Sequence, residues 1–213
     1  MYRERKMKMI NLLFKLPRDI AVAVSGGADS MAALDFLSNG GQREVTILHF
    51  NHGSDHADEA ESFVVRYASQ YGYKIKVGRL SRAVMPGESM ENFWREQRYS
   101  FFDKAVSKEI PIVTCHHLDD LVETWIFTSL NGIPRLIPKK RGNFVRPLLA
   151  TRKSELLSWC ENKSVPYLTD PSNADISYMR NYIRRVLLPN ALTVNPGLHK
   201  VLRKKIINSS EEY

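Results

Sequence analysis

The chain has 213 residues, 43% of them hydrophobic and 10% aromatic, which suits one complete α/β domain with a small appendage and excludes three domains of ordinary size. No apolar stretch approaches a membrane span, and the basic start MYRERKMKMINLLFKLP has no apolar core or cleavage site of a secretory signal, so no membrane is expected and the compartment read from sequence is cytoplasmic. The formal charge of +8 is uneven: residues 1–134 carry 16 basic against 17 acidic side chains, and residues 135–213 carry 15 against 6, so the last third is where a polyanion is expected to bind.

In chain order, the start reads as an amphipathic helix packing Met9, Leu12, Leu13 and Leu16 onto the domain. Ile20 to Val24 (IAVAV) is short, apolar and β-branched, as in a parallel strand buried on both faces. It runs into Ser25-Gly26-Gly27-Ala28-Asp29-Ser30, where two glycines permit a sharp turn, and Met31, Leu34 and Leu37 then follow helical spacing. Backbone N–H groups at such a helix start form an anion site. The loop has no lysine, so it fails the G-x-x-x-x-G-K-S/T pattern in which a lysine reaches the γ-phosphate.

Glu44 to Phe50 is a second buried strand, with His49-x-Asn51-His52 at the end where parallel sheets hold ligands. A helix over 57–71 and a third strand over 73–80 complete two βαβ units, whose right-handed crossovers place strands two and three on one side of the first. Pro86-Gly87-Glu88-Ser89 leads into a helix that sets Glu91, Arg95 and Arg98 on one face.

Ile110 to Cys115 is a fourth strand, followed by HHLDDLVET. On a helix, Leu118, Leu121, Val122, Trp125 and Ile126 form an apolar stripe opposite His116, Asp119, Asp120 and Glu123. Acidic groups in a first turn complement the helix dipole, but that does not account for Glu123 or for the histidines. Carboxylates so grouped suit Mg²⁺, which takes one or two of them beside nucleotide phosphates, or a substrate amine. Cys115 and Cys160 stand apart with no C-x-x-C pair, as reduced structural thiols do.

Residues 133–146 (IPRLIPKKRGNFVR) read as a substrate loop, with Lys139, Lys140, Arg141 and Arg146 as basic contacts. Thr151 is the expected N-cap of a helix through Cys160. The turn-rich run Tyr167 to Asn173 precedes a helix presenting Arg180, Arg184 and Arg185, a spacing that suits phosphate contacts as well as a salt-bridged face.

Five motifs resemble, in order, those of the tRNA-isoleucine lysidine synthetases: SGGADS their SGG-x-DS pyrophosphate loop, His49-x-Asn51-His52-Gly53 their H-x-N-H-G, Arg95-x-x-Arg98-Tyr99 their A-R-x-x-R-Y, HHLDDLVET their H-H-x-D-D-x-x-E-T, and Tyr167 to Asn173 with Arg180-Asn181 their Y-x-x-D-P-S-N…R-N. Arg146-Pro147-Leu148-Leu149 is similar to the family's R-P-L-L. Two departures are Ser54-Asp55 where the family has Leu-Arg and Trp94 where it has alanine.

The resemblance implies a doubly wound, parallel five-stranded α/β sheet of the adenine nucleotide α-hydrolase type, with residues 1–134 as nucleotide-binding domain and 135–213 as a basic helical extension contacting tRNA. It implies a carbon–nitrogen ligase that adenylates C2 of the wobble cytidine in a CAU anticodon of tRNA(Ile) and joins free lysine there, with ATP as substrate and Mg²⁺ as cofactor. By resemblance, Ser25, Gly26, Gly27, Ala28, Asp29, Ser30, His49 and Phe50 bind ATP; Asp29, Arg95, His116, Asp119, Asp120 and Glu123 are catalytic, with Asp120 also a metal candidate; and Lys139, Lys140, Arg141, Arg146, Arg180, Arg184 and Arg185 meet tRNA. A homodimer is the assembly carried with this reading. The alternatives are another tRNA-modifying enzyme with the same loop, such as a thiolase, and a tRNA-binding module without catalysis.

Overall fold

The computed structural model describes residues 10–209 apart from 40, 83, 86 and 172–174; the expectations for Met9, Pro86, Ser172, Asn173 and the Glu91 side chain lie outside the described residues. Five parallel strands and one antiparallel edge strand form a single sheet. β1 (Asp19–Ala23), β2 (Glu44–Asn51) and β3 (Lys74–Arg79) lie side by side, and β4 (Ile112–Val113) pairs with the other edge of β1, giving the order β3-β2-β1-β4-β6-β5 once β5 (Lys140–Arg141) and β6 (Phe144–Val145) are added. β6 continues the parallel ladder against β4, and β5 turns back antiparallel on β6. Reversal of strand order on either side of β1 creates a crevice above its C-terminal end, between β1 and β4.

The sheet is covered on both faces, and the alternation of side chains along β1 shows how. Ile20 and Val22 join a core with Met31, Leu34 and Leu37 of α1 (Ala28–Ser38), Val64 and Tyr67 of α2 (Asp55–Tyr71), and Leu156 and Trp159 of α5 (Lys153–Lys163). Ala21, between them, faces the other side with Leu48, Ile112 and Phe102 of α3 (Met90–Ala105). A third core lies under α4 (Leu118–Leu130), where Leu118, Leu121 and Val122 meet Leu198, Leu202 and Ile206 of α8 (Leu198–Asn208). Each fully buried Leu or Ile contributes about 1.5–3 kcal/mol.

Between α5 and α8 runs one bent helical segment: α6 (Met179–Tyr182), a π-helical turn (Ile183–Leu187) and α7 (Leu188–Val194). Pro189 has no N–H to offer the preceding turn, which accounts for the widened ladder just before it. No helix among the described residues is long and apolar enough to cross a membrane.

Three local expectations are corrected. Residues 10–17 are irregular, not helical: Leu13 N–H bonds Pro147 O at 2.8 Å, and Leu12, Leu13 and Leu16 pack on the cores from an extended path. The stretch 133–146 contains the β5–β6 hairpin in addition to loop. Thr151 does not cap α5; its hydroxyl donates to Asn11 O at 3.0 Å, while Arg152 is the N-cap and its amide donates to Glu155.

Candidate active site

The loop after β1 is stitched by its own serines. Ser30 Oγ accepts the Ser25 N–H at 3.1 Å and donates to Gly27 O at 2.9 Å, and Ser25 Oγ lies 3.2 Å from Ser30 Oγ. Gly26 stands at φ +88°, and the N-cap of α1, Gly27, has no side chain to satisfy the first amides of the helix. Those amides face the crevice, the arrangement that receives phosphate. A second strand of support comes from far along the chain: Leu168 N–H donates to Gly26 O at 2.9 Å, and Gly27 and Leu168 form a parallel bridge.

Asp29, the second residue of α1, leaves the loop toward α4. His117 is the N-cap of α4: its Nδ1 accepts the Asp120 amide at 3.3 Å, and its own amide donates to Asp120 Oδ2 at 2.9 Å. With Nδ1 so used, the Nε2 proton points at Asp29 Oδ2, 3.4 Å away. Burial presses the His117 pKa down, but the carboxylates of Asp120, Asp29 and Asp119 outweigh it and the net shift is upward. Burial likewise opposes ionisation of Asp29, yet the His117 hydrogen bond and the charges of His117 and Lys153 hold its pKa below the usual value. Asp29 Oδ1 is buried with no hydrogen-bond partner.

Asp120 and Glu123 are buried, Glu123 only 2% exposed, and both face arginines that sequence reasoning assigned to RNA. Arg184 binds Glu123 through Nε to Oε1 at 2.6 Å and Nη2 to Oε2 at 3.1 Å; Arg180 reaches Glu123 Oε2 at 3.3 Å and Asp120 Oδ1 at 3.0 Å. Despite the desolvation that opposes it, the Asp120 pKa falls to about 2 beside His117 and Arg180. Arg180 and Arg184, expected among the tRNA contacts, thus form the salt-bridged face that the same spacing allowed, with Arg180 still part-exposed. Both Asp120 oxygens are engaged, whereas Asp29 keeps one oxygen, Oδ1, without a hydrogen-bond partner.

The other expected residues divide. Asp119 sits beside the site and ties three helices together, accepting the Lys153 N–H at 2.8 Å and lying 3.2 Å from His199 Nε2. His116 bonds Thr114 Oγ1 through Nδ1 at 3.0 Å; burial drives its pKa to about 3, so it is a neutral imidazole at pH 7. Arg95, exposed on α3, lies 4.9 Å over the Tyr99 ring and within electrostatic reach of His116. His49 is buried at the joint of β2 and the loop, its Nδ1 donating to Val24 O at 2.8 Å, while Phe50 packs near Phe101. Arg146, expected to meet tRNA, is 3% exposed and donates to Pro138 O, so it presents almost no surface to an RNA in this structure. Lys139 bonds the Ile207 and Ser209 carbonyls at the end of α8, as a basic side chain does at a helix C-terminus. Lys140, Arg141 and Arg185 are exposed.

Two residues of the cluster were not picked out from sequence. His117 carried a signal, since an H-x-x-D pattern before an apolar stripe reads as a capping box. Lys153, whose Nζ is 3.4 Å from Asp29 Oδ2, carried none, being 124 positions away. Trp94, a departure from the resembled pattern, stacks on His52 with ring centroids 4.7 Å apart.

Known proteins resemble this chain over most of its length. A family model described as a PP-loop domain matches residues 2–191. A tRNA(Ile)-lysidine synthase of Staphylococcus epidermidis is 35% identical over 206 residues, covering 87% of this chain and 47% of that protein; one of Thermotoga sp. is 31% identical over 200 residues, covering 88% and 48%. The chain thus spans about half the length of the curated relatives it matches. Among solved structures, the U34-tRNA thiolase NcsA of Methanococcus maripaludis superposes with a TM-score of 0.66 at 16% identity, over 92% of this chain and 75% of that one, a likeness of fold.

Proposed function

The chain belongs to the PP-loop domain family, and from that membership we propose that it is an ATP-dependent tRNA(Ile)-lysidine synthetase unit. In the proposed reaction, the C2 oxygen of the wobble cytidine attacks the α-phosphorus of ATP and pyrophosphate departs; the amine of free lysine then attacks C2 and AMP departs. The observation that carries the reading is the meeting of two motifs in one cluster, Asp29 of the loop with His117 and Asp120 of α4. A pyrophosphate cradle and a buried acidic cluster are adjacent, as an adenylation followed by amine attack requires.

The loop amides and Ser25 to Ser30 hold the phosphates, the β2 end near His49 and Phe50 holds adenine, and Arg95 stabilises charge on the transferring groups. The residues fit Mg²⁺: the orphaned Asp29 Oδ1 is a hard oxygen beside the phosphate cradle, and Mg²⁺ commonly takes one or two carboxylates with phosphates as the rest. Bound there, Mg²⁺ would neutralise the departing pyrophosphate. Asp120 and Glu123, compensated by Arg180 and Arg184, hold the amine of lysine in competition with those guanidiniums. Exposed Lys200, Lys204 and Lys205 of α8 with Arg141 hold the anticodon arm.

A thiolase is the reading the fold alone allows, but the two cysteines do not support it: Cys115 and Cys160 donate to separate carbonyls, and burial raises their pKa values to about 12 and about 11. The deciding experiment supplies ATP, Mg²⁺, labelled lysine and an unmodified CAU-anticodon tRNA(Ile) transcript. Label is expected in the tRNA and lost in Asp120→Ala and when the wobble cytidine is replaced; no label with wild type overturns the assignment.

A further inference from the structure

The phosphate loop contains no lysine, yet the fold delivers one to it. Lys153 is the first residue of α5, and its Nζ lies 3.4 Å from Oδ2 of Asp29, the residue two places beyond the second loop glycine. Its main chain is anchored, because the Lys153 N–H is held by Asp119 Oδ2 at 2.8 Å and Asp119 is in turn held by His199. Its side chain is 36% exposed and reaches across to the start of α1.

Stability does not account for this placement. A cation at the first position of a helix opposes the macrodipole, costing about 0.3–1 kcal/mol. A part-exposed ion pair such as Lys153 with Asp29 returns only about 0–1 kcal/mol. The two nearly cancel, so the ammonium is poorly used in the structure as it stands. The N-termini of α1, α4 and α5 meet at this point, and the carboxylates of Asp29, Asp119 and Asp120 answer their positive ends. Asp119 takes the Lys153 backbone N–H, while Asp29 meets its ammonium through Oδ2, an oxygen already shared with His117.

We propose that Lys153 is the phosphate-binding cation of this site: it parks on Asp29 and transfers to the β- and γ-phosphate oxygens of ATP, following the charge onto pyrophosphate as the α–β bond breaks. The proposal rests on the ATP-cleaving reading above. It assigns Asp29 two jobs, parking Lys153 through Oδ2 and offering Oδ1 to a metal. A charge-assisted contact of about 1.5–3 kcal/mol corresponds to roughly tenfold or more in affinity for the leaving group.

The test is calorimetric binding of inorganic pyrophosphate and of AMP, in EDTA and in Mg²⁺, to wild type, Lys153→Met and Lys153→Arg, beside tRNA-dependent pyrophosphate release. Lys153→Met should weaken pyrophosphate about tenfold in EDTA, leave AMP unchanged, and lower kcat more than it raises KM for ATP; Lys153→Arg should stay within about threefold of wild type on every measure. A residue that merely steadies Asp29 would alter binding only when the metal is present, so an effect confined to Mg²⁺ overturns the proposal. Pyrophosphate binding by Lys153→Met equal to wild type overturns it too, while lysidine formation by wild type keeps the proposed function. A lysine-dependent pyrophosphate affinity in a wild type that never forms lysidine sustains Lys153 and removes the lysidine assignment.

Discussion

Arg184 clasps Glu123 with two nitrogens, Nε at 2.6 Å from Oε1 and Nη2 at 3.1 Å from Oε2, across 61 positions of sequence. The pair joins the π-helical turn to α4 in the floor of the site, and desolvation of Arg184 is outweighed by Glu123 and Asp120, which raise its pKa. Two bonds in a planar fork fix the carboxylate in one orientation.

Breaking this pair from one side should be costly. Glu123→Ala leaves Arg184 with only the longer contact to Asp120 Oδ1 at 3.5 Å, with an expected loss of about 1.5–3 kcal/mol, or roughly 3–12 °C in Tm for a domain of this size. The double variant Glu123→Leu with Arg184→Leu should recover most of it. Thermal melts of the three proteins decide, and a Glu123→Ala protein that melts with wild type would show that the clasp adds nothing.

The pH dependence of stability separates the two histidines of the HH pair. His116 has a folded pKa of about 3, below its ordinary 6.5, so its contribution is complete above pH 6.5 and is lost as pH falls toward 3, at about 1.4 kcal/mol per pH unit. His117 is shifted upward, so it adds stability below 6.5 that fades as pH rises through its folded pKa. Asp120, at about 2, adds stability that is present above pH 3.8 and lost only as pH falls toward 2. Denaturant melts between pH 6.5 and 4 should therefore show stability falling, with a shallower slope in His116→Gln. Some slope should remain, because burial also lowers the His49 pKa. Equal slopes in the variant and wild type would contradict a buried neutral His116.

Gly26 occupies the left-handed region at φ +88°, and a Cβ there would stand 3.4 Å from Val64 Cγ2. Gly26→Ala should cost about 1–2 kcal/mol and displace the loop amides, weakening ATP binding at least tenfold. Calorimetry with ATP checks this; unchanged affinity would mean that the loop amides do not hold the phosphates.

On α8, Lys204 is exposed beside Lys200 and Lys205. Lys204→Ala should weaken tRNA binding about equally for matched and mismatched anticodons and lower the slope of log K against log salt by about 1, with Tm unchanged. A salt titration of binding reads it, and an unaltered slope would move the RNA to another face.

What the sequence determined by itself was local and periodic. The apolar run Ile20 to Val24, the glycines after it, and Met31, Leu34 and Leu37 dictate strand, turn and helix within 18 residues, because each depends on neighbours a few positions away. The same holds for the apolar stripe of α4, whose Leu118, Leu121 and Val122 are almost fully buried. The β5–β6 hairpin was not legible, since strands of two residues have no period and exist only because β4 offers an open edge. Nor was the true environment of the acidic face. Helical spacing sets Asp120 and Glu123 opposite the apolar stripe as a ligand-binding edge, and only the return of the chain through α6 and the π-helical turn buries them and sets Arg180 and Arg184 against them. Tertiary structure likewise decided that the lysine missing from the loop arrives from α5, because contact across 124 positions depends on how α1 and α5 pack, and no local pattern encodes that distance.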